Sequence, residues 1–142
     1  MSKLQTIDMP FIQGEIAAGF PSPAAQYAEE PLDLNSLLVK RPAATFFLRV
    51  SGESMVNAGI YPGDILVVDR SLSPADGSVV VACIDNEFTV KYFRRDRNGM
   101  PWLMPANRLY RPIFLGPCQE LRIFGVVTAN IHMFGKVTSS LR

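Results

Sequence analysis

The stretch Val79-Val80-Val81-Ala82-Cys83-Ile84, followed by Asp85-Asn86 and then by Glu87-Phe88-Thr89-Val90-Lys91-Tyr92-Phe93-Arg94-Arg95, reads as one β-hairpin. Two short runs rich in β-branched and aromatic residues flank two polar turn residues, the pattern of adjacent antiparallel strands. Working outward, the same grammar recurs on both sides. Upstream lies Ile65-Leu66-Val67-Val68-Asp69, bounded by Pro62-Gly63-Asp64 and Ser73-Pro74, and before it Phe46-Phe47-Leu48-Arg49-Val50. Downstream, Arg97-Asn98-Gly99 is a second turn signal, because Asn-Gly tolerates positive φ. Trp102-Leu103-Met104 and Leu121-Arg122-Ile123-Phe124-Gly125-Val126-Val127 complete the set. Many short strands separated by turns predict a mostly β domain over residues 46–142.

Residues 1–45 read differently. Pro10, Pro21, Pro23, Pro31 and Pro42 stand too close together for long helices. Phe20-Pro21-Ser22-Pro23 is expected to be extended, since a residue before proline is pushed out of the α region. Pro31 to Leu38 has room for one or two helical turns. The first 45 residues are therefore expected to form an arm over the β body.

Composition sets outer limits. The chain has 142 residues, 48% of them hydrophobic and 19% charged, which suits one folded domain with a loose end. The net charge of +1 gives no global reason to expect nucleic-acid binding. It conceals an asymmetry: residues 1–90 carry 5 Lys/Arg and 11 Asp/Glu, whereas residues 91–142 carry 9 and 2. The halves either neutralise each other within one domain or leave a basic patch for an acidic partner or DNA. Cys83 and Cys118 form no disulfide framework and no metal-type spacing, and Cys83 reads as a core thiol. The N-terminus lacks the apolar segment of a signal peptide, and no run of 18 apolar residues occurs, so a soluble cytoplasmic protein is expected. No metal, phosphate-binding loop or cofactor is expected.

The chemistry centres on Ser51-Gly52-Glu53-Ser54-Met55. A serine hydroxyl is a weak nucleophile without a base. The single histidine, His132, lies in an apolar run near the C-terminus and reads as a terminal strand residue. A Ser-Lys pair needs no histidine, and Lys91 lies inside the apolar strand Phe88-Thr89-Val90-Lys91-Tyr92-Phe93. Burial there disfavours the ammonium and leaves an amine able to accept a proton from Ser54. Period-two alternation places Thr89, Lys91 and Phe93 on one face. Gly52 permits a sharp turn, and the backbone N–H groups of Glu53 and Ser54 are the candidates for holding an oxyanion. Ile16-Ala17-Ala18-Gly19-Phe20 offers small residues to a protease cleft. The plainer readings are a serine-rich turn, an edge-strand lysine and a flexible linker. Trp102, Phe46, Phe47 and Phe93 are expected in the core rather than as stacking platforms.

Taken together these strings resemble the LexA/UmuD family of self-cleaving Ser-Lys peptidases, in its translesion-synthesis branch. The matches are Ala18-Gly19-Phe20-Pro21-Ser22-Pro23-Ala24, Leu32-Asp33-Leu34-Asn35, Ser51 to Met55, Gly63 to Asp69, Glu87 to Lys91 and Phe124 to Val127, in family order over about residues 14–130. The resemblance implies a LexA/UmuD-type catalytic domain of twisted, partly closed antiparallel sheets. It implies Ser54 as nucleophile, Lys91 as general base and Ala18-Gly19 as the scissile bond. Alanine stands before the glycine, as in LexA-type repressors, where UmuD-like proteins usually have cysteine. The implied partners are a second copy of the chain, a RecA filament on single-stranded DNA as stimulator of cleavage, and a UmuC-like Y-family polymerase. Direct sequence-specific DNA binding is not expected, because only eighteen residues precede Gly19 and the repressors' helix-turn-helix domain does not fit there. Two other classes stand beside this: a non-enzymatic polymerase-interaction module, and a truncated LexA-like repressor of a mobile element.

Overall fold

The structure, a computed structural model, describes residues 9–12, 18–19 and 29–135. The chain divides into two units, Met1–Lys40 and Arg41–Arg142. The expected extension of Phe20 to Pro23 lies outside the described residues.

In the first unit, β1 (Met9–Ile12) pairs antiparallel with β2 (Glu29–Leu32), with Pro10 opposite Pro31. A two-stranded ladder tolerates proline because each strand is an edge. The short helix α1 (Leu34–Leu38) occupies the segment where a turn or two was predicted. Asp33 caps it, accepting from the Asn35 amide at 3.1 Å and the Ser36 hydroxyl at 2.7 Å.

The second unit is mostly β, as the sequence predicted. Its strands are β3 (Thr45–Arg49), β4 (Ile65–Asp69), β5 (Val79–Ile84), β6 (Glu87–Arg95), β7 (Pro101–Met104), β8 (Ile113–Phe114) and β9 (Leu121–Ile131). They form one antiparallel seven-stranded sheet in the order β3-β4-β9-β5-β6-β7-β8. The β5–β6 turn has both central residues at positive φ, Asp85 at 51° and Asn86 at 67°, a primed turn whose twist matches the hairpin. β9 runs four residues beyond the predicted strand; the last of the described strands in the chain, it lies third in the sheet, between β4 and β5.

Hydrogen-bonded neighbours lie about 4.8 Å apart, so four steps from β3 to β6 would span about 19 Å in a flat sheet. Yet Leu48 and Val50, at the end of β3, line one cleft together with Phe88 and Val90 of β6. The sheet therefore curls on itself. Register shifts against β9 at Val67/Val68 and at Val81/Ala82 supply the bend, since a bulge sharpens local twist. Gly125 sits at this bend. A Cβ there would meet Val68 Cγ1 at 2.6 Å and the Asp69 carbonyl oxygen at 3.1 Å.

The curl encloses Val50, Met55, Ile60, Leu66, Val68 and Val81. Val80, Ala82, Phe93 and Leu103 form a second buried cluster. The core assignment of Phe46 and Phe47 is corrected: they are 40% and 54% exposed. β3 is an edge strand, and Phe46 packs laterally on Phe124, with the Arg70 guanidinium 4.7 Å from the Phe124 centroid and 5.7 Å from that of Phe46. Cys83 is buried, Cys118 is exposed, and both are free. Among the described residues no helix is long and apolar enough to cross a membrane.

Candidate active site

Residues 50–64 leave β3 as a loop whose ends are pinned together. The Val50 amide donates to the Asp64 carbonyl at 2.8 Å, and the Gly63 amide donates back to Val50 at 2.9 Å. Gly52, at φ 81°, takes a left-handed conformation that a side chain would resist. Met55, 1% exposed, anchors the turn in the core. Ser54, half-buried, is left between a rigid anchor and a solvent-facing Glu53.

Lys91 comes from the middle of β6, opposite Val80 on β5. It is 7% exposed, and its Nζ lies 3.0 Å from Ser54 Oγ and 2.5 Å from Thr89 Oγ1. The two hydroxyls are its only hydrogen-bond partners among the described residues, and no carboxylate there forms an ion pair with it. Burial pulls the amine below its ordinary value of 10.5. The arrangement thus lowers the cost of a neutral amine next to a serine hydroxyl, the condition for proton transfer between them.

That burial opposes folding while the amine is charged. The unfolded chain holds the Lys91 proton up to pH 10.5 and the folded chain releases it earlier, so the destabilisation is full below the folded value and fades as pH rises towards 10.5. Lys91→Met is expected to melt higher than the parent at neutral pH, with the advantage shrinking in alkaline buffer. Thermal melts at pH 7 and near pH 10.5 check this; a constant gap would contradict it.

The Ser54 hydroxyl opens into a cleft of about 160 Å³ lined by Leu48, Val50, Leu66, Val81, Phe88 and Val90, among others. Arg49, Ser51 and Thr89 line it too, so its wall is mixed and its size suits a small side chain beside the nucleophile. Among the described residues, the backbone amides of residues 51–55 donate no hydrogen bond. The candidate oxyanion donors, the Glu53 and Ser54 amides, are therefore uncommitted. Ala18 and Gly19 are both exposed and belong to the first unit.

His132 lies one residue past β9 and is engaged elsewhere. Its Nδ1 is 2.5 Å from Oδ1 of Asp64, and its ring packs against Tyr61 and Phe134. Asp64 is 3% exposed; burial works to raise its pKa. That effect is outweighed by hydrogen bonds from Asn130, the Tyr61 amide and His132, which hold the carboxyl below its ordinary 3.8. The pair resembles two members of a triad, but it braces the loop end that carries Ser54. This brace had no signal in the sequence, because its members lie 68 positions apart.

Sequence comparison relates the chain to known proteins. Residues 10–128 match the family described as Peptidase S24-like. Protein MucA of Salmonella typhimurium is 49% identical over 124 residues, covering 87% of this chain and 84% of that protein. Protein ImpA of Shigella flexneri is 52% identical over 123 residues, covering 87% and 83%. The LexA repressor of Carboxydothermus hydrogenoformans is 37% identical over 131 residues, 92% of this chain but 62% of the repressor.

Proposed function

We propose that this chain, which belongs to the Peptidase S24-like family and is a self-cleaving serine peptidase of the SOS response, cuts its own Ala18–Gly19 bond with Ser54 as nucleophile and Lys91 as general base. The observation that carries the proposal is a buried lysine amine 3.0 Å from a serine hydroxyl that lines a small cleft.

Neutral Lys91 takes the Ser54 hydroxyl proton as Oγ attacks the Ala18 carbonyl carbon. The Glu53 and Ser54 N–H groups receive the developing oxyanion. Collapse breaks the Ala18–Gly19 bond, and the Lys91 ammonium returns its proton to the departing Gly19 amine. Water, deprotonated by Lys91, then hydrolyses the Ala18 ester of Ser54 and frees both the serine and the new carboxylate. Thr89 Oγ1 steadies Nζ throughout and supplies no charge. Having substrate and catalyst on one chain gives a high local concentration, so modest chemistry suffices.

Relatedness to MucA, ImpA and the LexA repressor supports a finer reading. The shortened chain serves as accessory subunit of an error-prone translesion polymerase of the UmuC-like Y family, working as a homodimer in the cytoplasm. A RecA filament on single-stranded DNA accelerates the cut by favouring the docked arm, a shift of populations rather than added chemistry.

The test is a pH series on the purified full chain, weighed by mass spectrometry. Fragments 1–18 and 19–142 are expected, forming faster with rising pH through the lowered Lys91 value and levelling off once the amine is neutral. A cut elsewhere, or a rate flat between neutrality and about pH 10, would remove the assignment.

A further inference from the structure

The loop after β7 makes three contacts with the serine turn. The Ala106 amide donates to the Ser54 carbonyl at 2.8 Å, and the Asn57 amide donates to the Ala106 carbonyl at 2.8 Å. Between these, Asn107 Nδ2 donates to the Glu53 carbonyl at 2.7 Å. The other end of the Asn107 amide is also engaged: Oδ1 accepts from the Leu109 amide at 3.0 Å. Only one orientation of the amide satisfies both partners, an acceptor on one side and a donor on the other. The Asn107 donor is thereby locked onto the Glu53 carbonyl.

A trans peptide unit is planar, and its C=O and N–H point in opposite directions. The Glu53 carbonyl and the Ser54 N–H belong to the same unit. The Val56 amide also reaches that carbonyl, but at a long 3.4 Å, so the 2.7 Å Asn107 bond is the main hold on it and fixes the direction of the N–H in front. Among the described residues this N–H has no acceptor of its own to fix it. We propose that Asn107 is a positioning residue, which aims the Ser54 N–H at the oxyanion by holding the Glu53–Ser54 peptide plane. The inference rests on the assignment of Ser54 as nucleophile. Asn107 touches neither substrate nor reacting atoms. It removes the need to reorient a donor as charge develops, which is where such donors have their effect. The Ala106 bond does the same for the next peptide plane, but through a backbone amide that substitution cannot delete.

The test uses the full chain and reads the plateau rate of self-cleavage at alkaline pH, the midpoint of the pH profile and the melting temperature. Asn107→Ala removes both amide contacts. Asn107→Asp keeps an acceptor for Leu109 and replaces the donor with an oxygen facing the Glu53 carbonyl. Both are expected to lower the plateau rate by between about tenfold and a hundredfold, with the alanine midpoint unmoved because Lys91 is untouched. A plateau within about twofold of the parent in both variants overturns the proposal. So does an aspartate variant that cuts at the parental rate while the alanine variant is slow, since capping the loop would then be the whole role. A shifted midpoint in the alanine variant, or failure of both to fold, assigns Asn107 to the scaffold and also overturns it. Ser54→Ala and Lys91→Ala run alongside: if these still cut, the nucleophile assignment has failed, whereas dead controls beside fast Asn107 variants reject the positioning role alone.

Discussion

Ser54→Ala and Lys91→Ala should each slow self-cleavage by about 10⁴-fold or more while still folding. The expectation follows from the two roles being indivisible. Without Oγ there is nothing to acylate, and without Nζ the hydroxyl keeps its proton. Removing both groups should cost little more than removing either, because each is useless alone. Lys91→Arg discriminates further. A guanidinium keeps the positive charge and reach of lysine but does not give up its proton at any working pH. An inactive arginine variant assigns Lys91 the part of a base; an active one would mean that charge alone suffices. The readout is intact mass after incubation at about pH 10, and normal processing in either alanine variant would end the Ser-Lys reading.

Gly125→Ala should be the most crowded glycine-to-alanine change among the described glycines. Its Cβ would fall 2.6 Å from Val68 Cγ1, and Val68 is fully buried, short and branched, so it has little freedom to retreat. Behind it stands the Asp69 backbone, which moves only if β4 moves. Overpacking of this kind costs about 3 kcal/mol. For a chain of this size that lowers the melting temperature by about 10 °C. Gly116→Ala serves as control, since its added carbon would meet only the Gln119 side chain, at an ordinary 3.5 Å. Equal losses in the two variants would show that crowding at the β9 bend is not what matters.

The fold was legible wherever a residue type constrains its own backbone. Asp85-Asn86 announced the β5–β6 hairpin because few residues accept positive φ twice in succession. Six of the seven strands of the second unit carried enough apolar, β-branched or aromatic residues to declare themselves. β8 did not, because two residues have no periodicity to read. The β1–β2 pair was hidden by its prolines, which argue against helix without arguing for a partner. Phe46 and Phe47 misled because hydrophobicity says nothing about position in the sheet order: on an edge strand the same side chains face solvent.

The candidate site divides the same way. Ser54 and Lys91 stood out because a serine two residues after a turn glycine and a lysine within an apolar strand are locally odd. Asn107 and Asp64 act through partners 54 and 66–68 positions away. Asparagine in a loop and aspartate after glycine are ordinary turn residues by composition, so only the folded chain shows what they hold.

β9 is the last of the described strands in the chain, yet it is inserted between β4 and β5. Ser54 lies on the β3–β4 side of that seam and Lys91 on the β5–β6 side. A chain still leaving the ribosome, or one with β9 slipped by a single residue, possesses both reactive groups yet cannot unite them. The proposed chemistry therefore has a structural condition built in: a copy in which β9 has not paired with both β4 and β5 lacks the bend that brings Ser54 and Lys91 together.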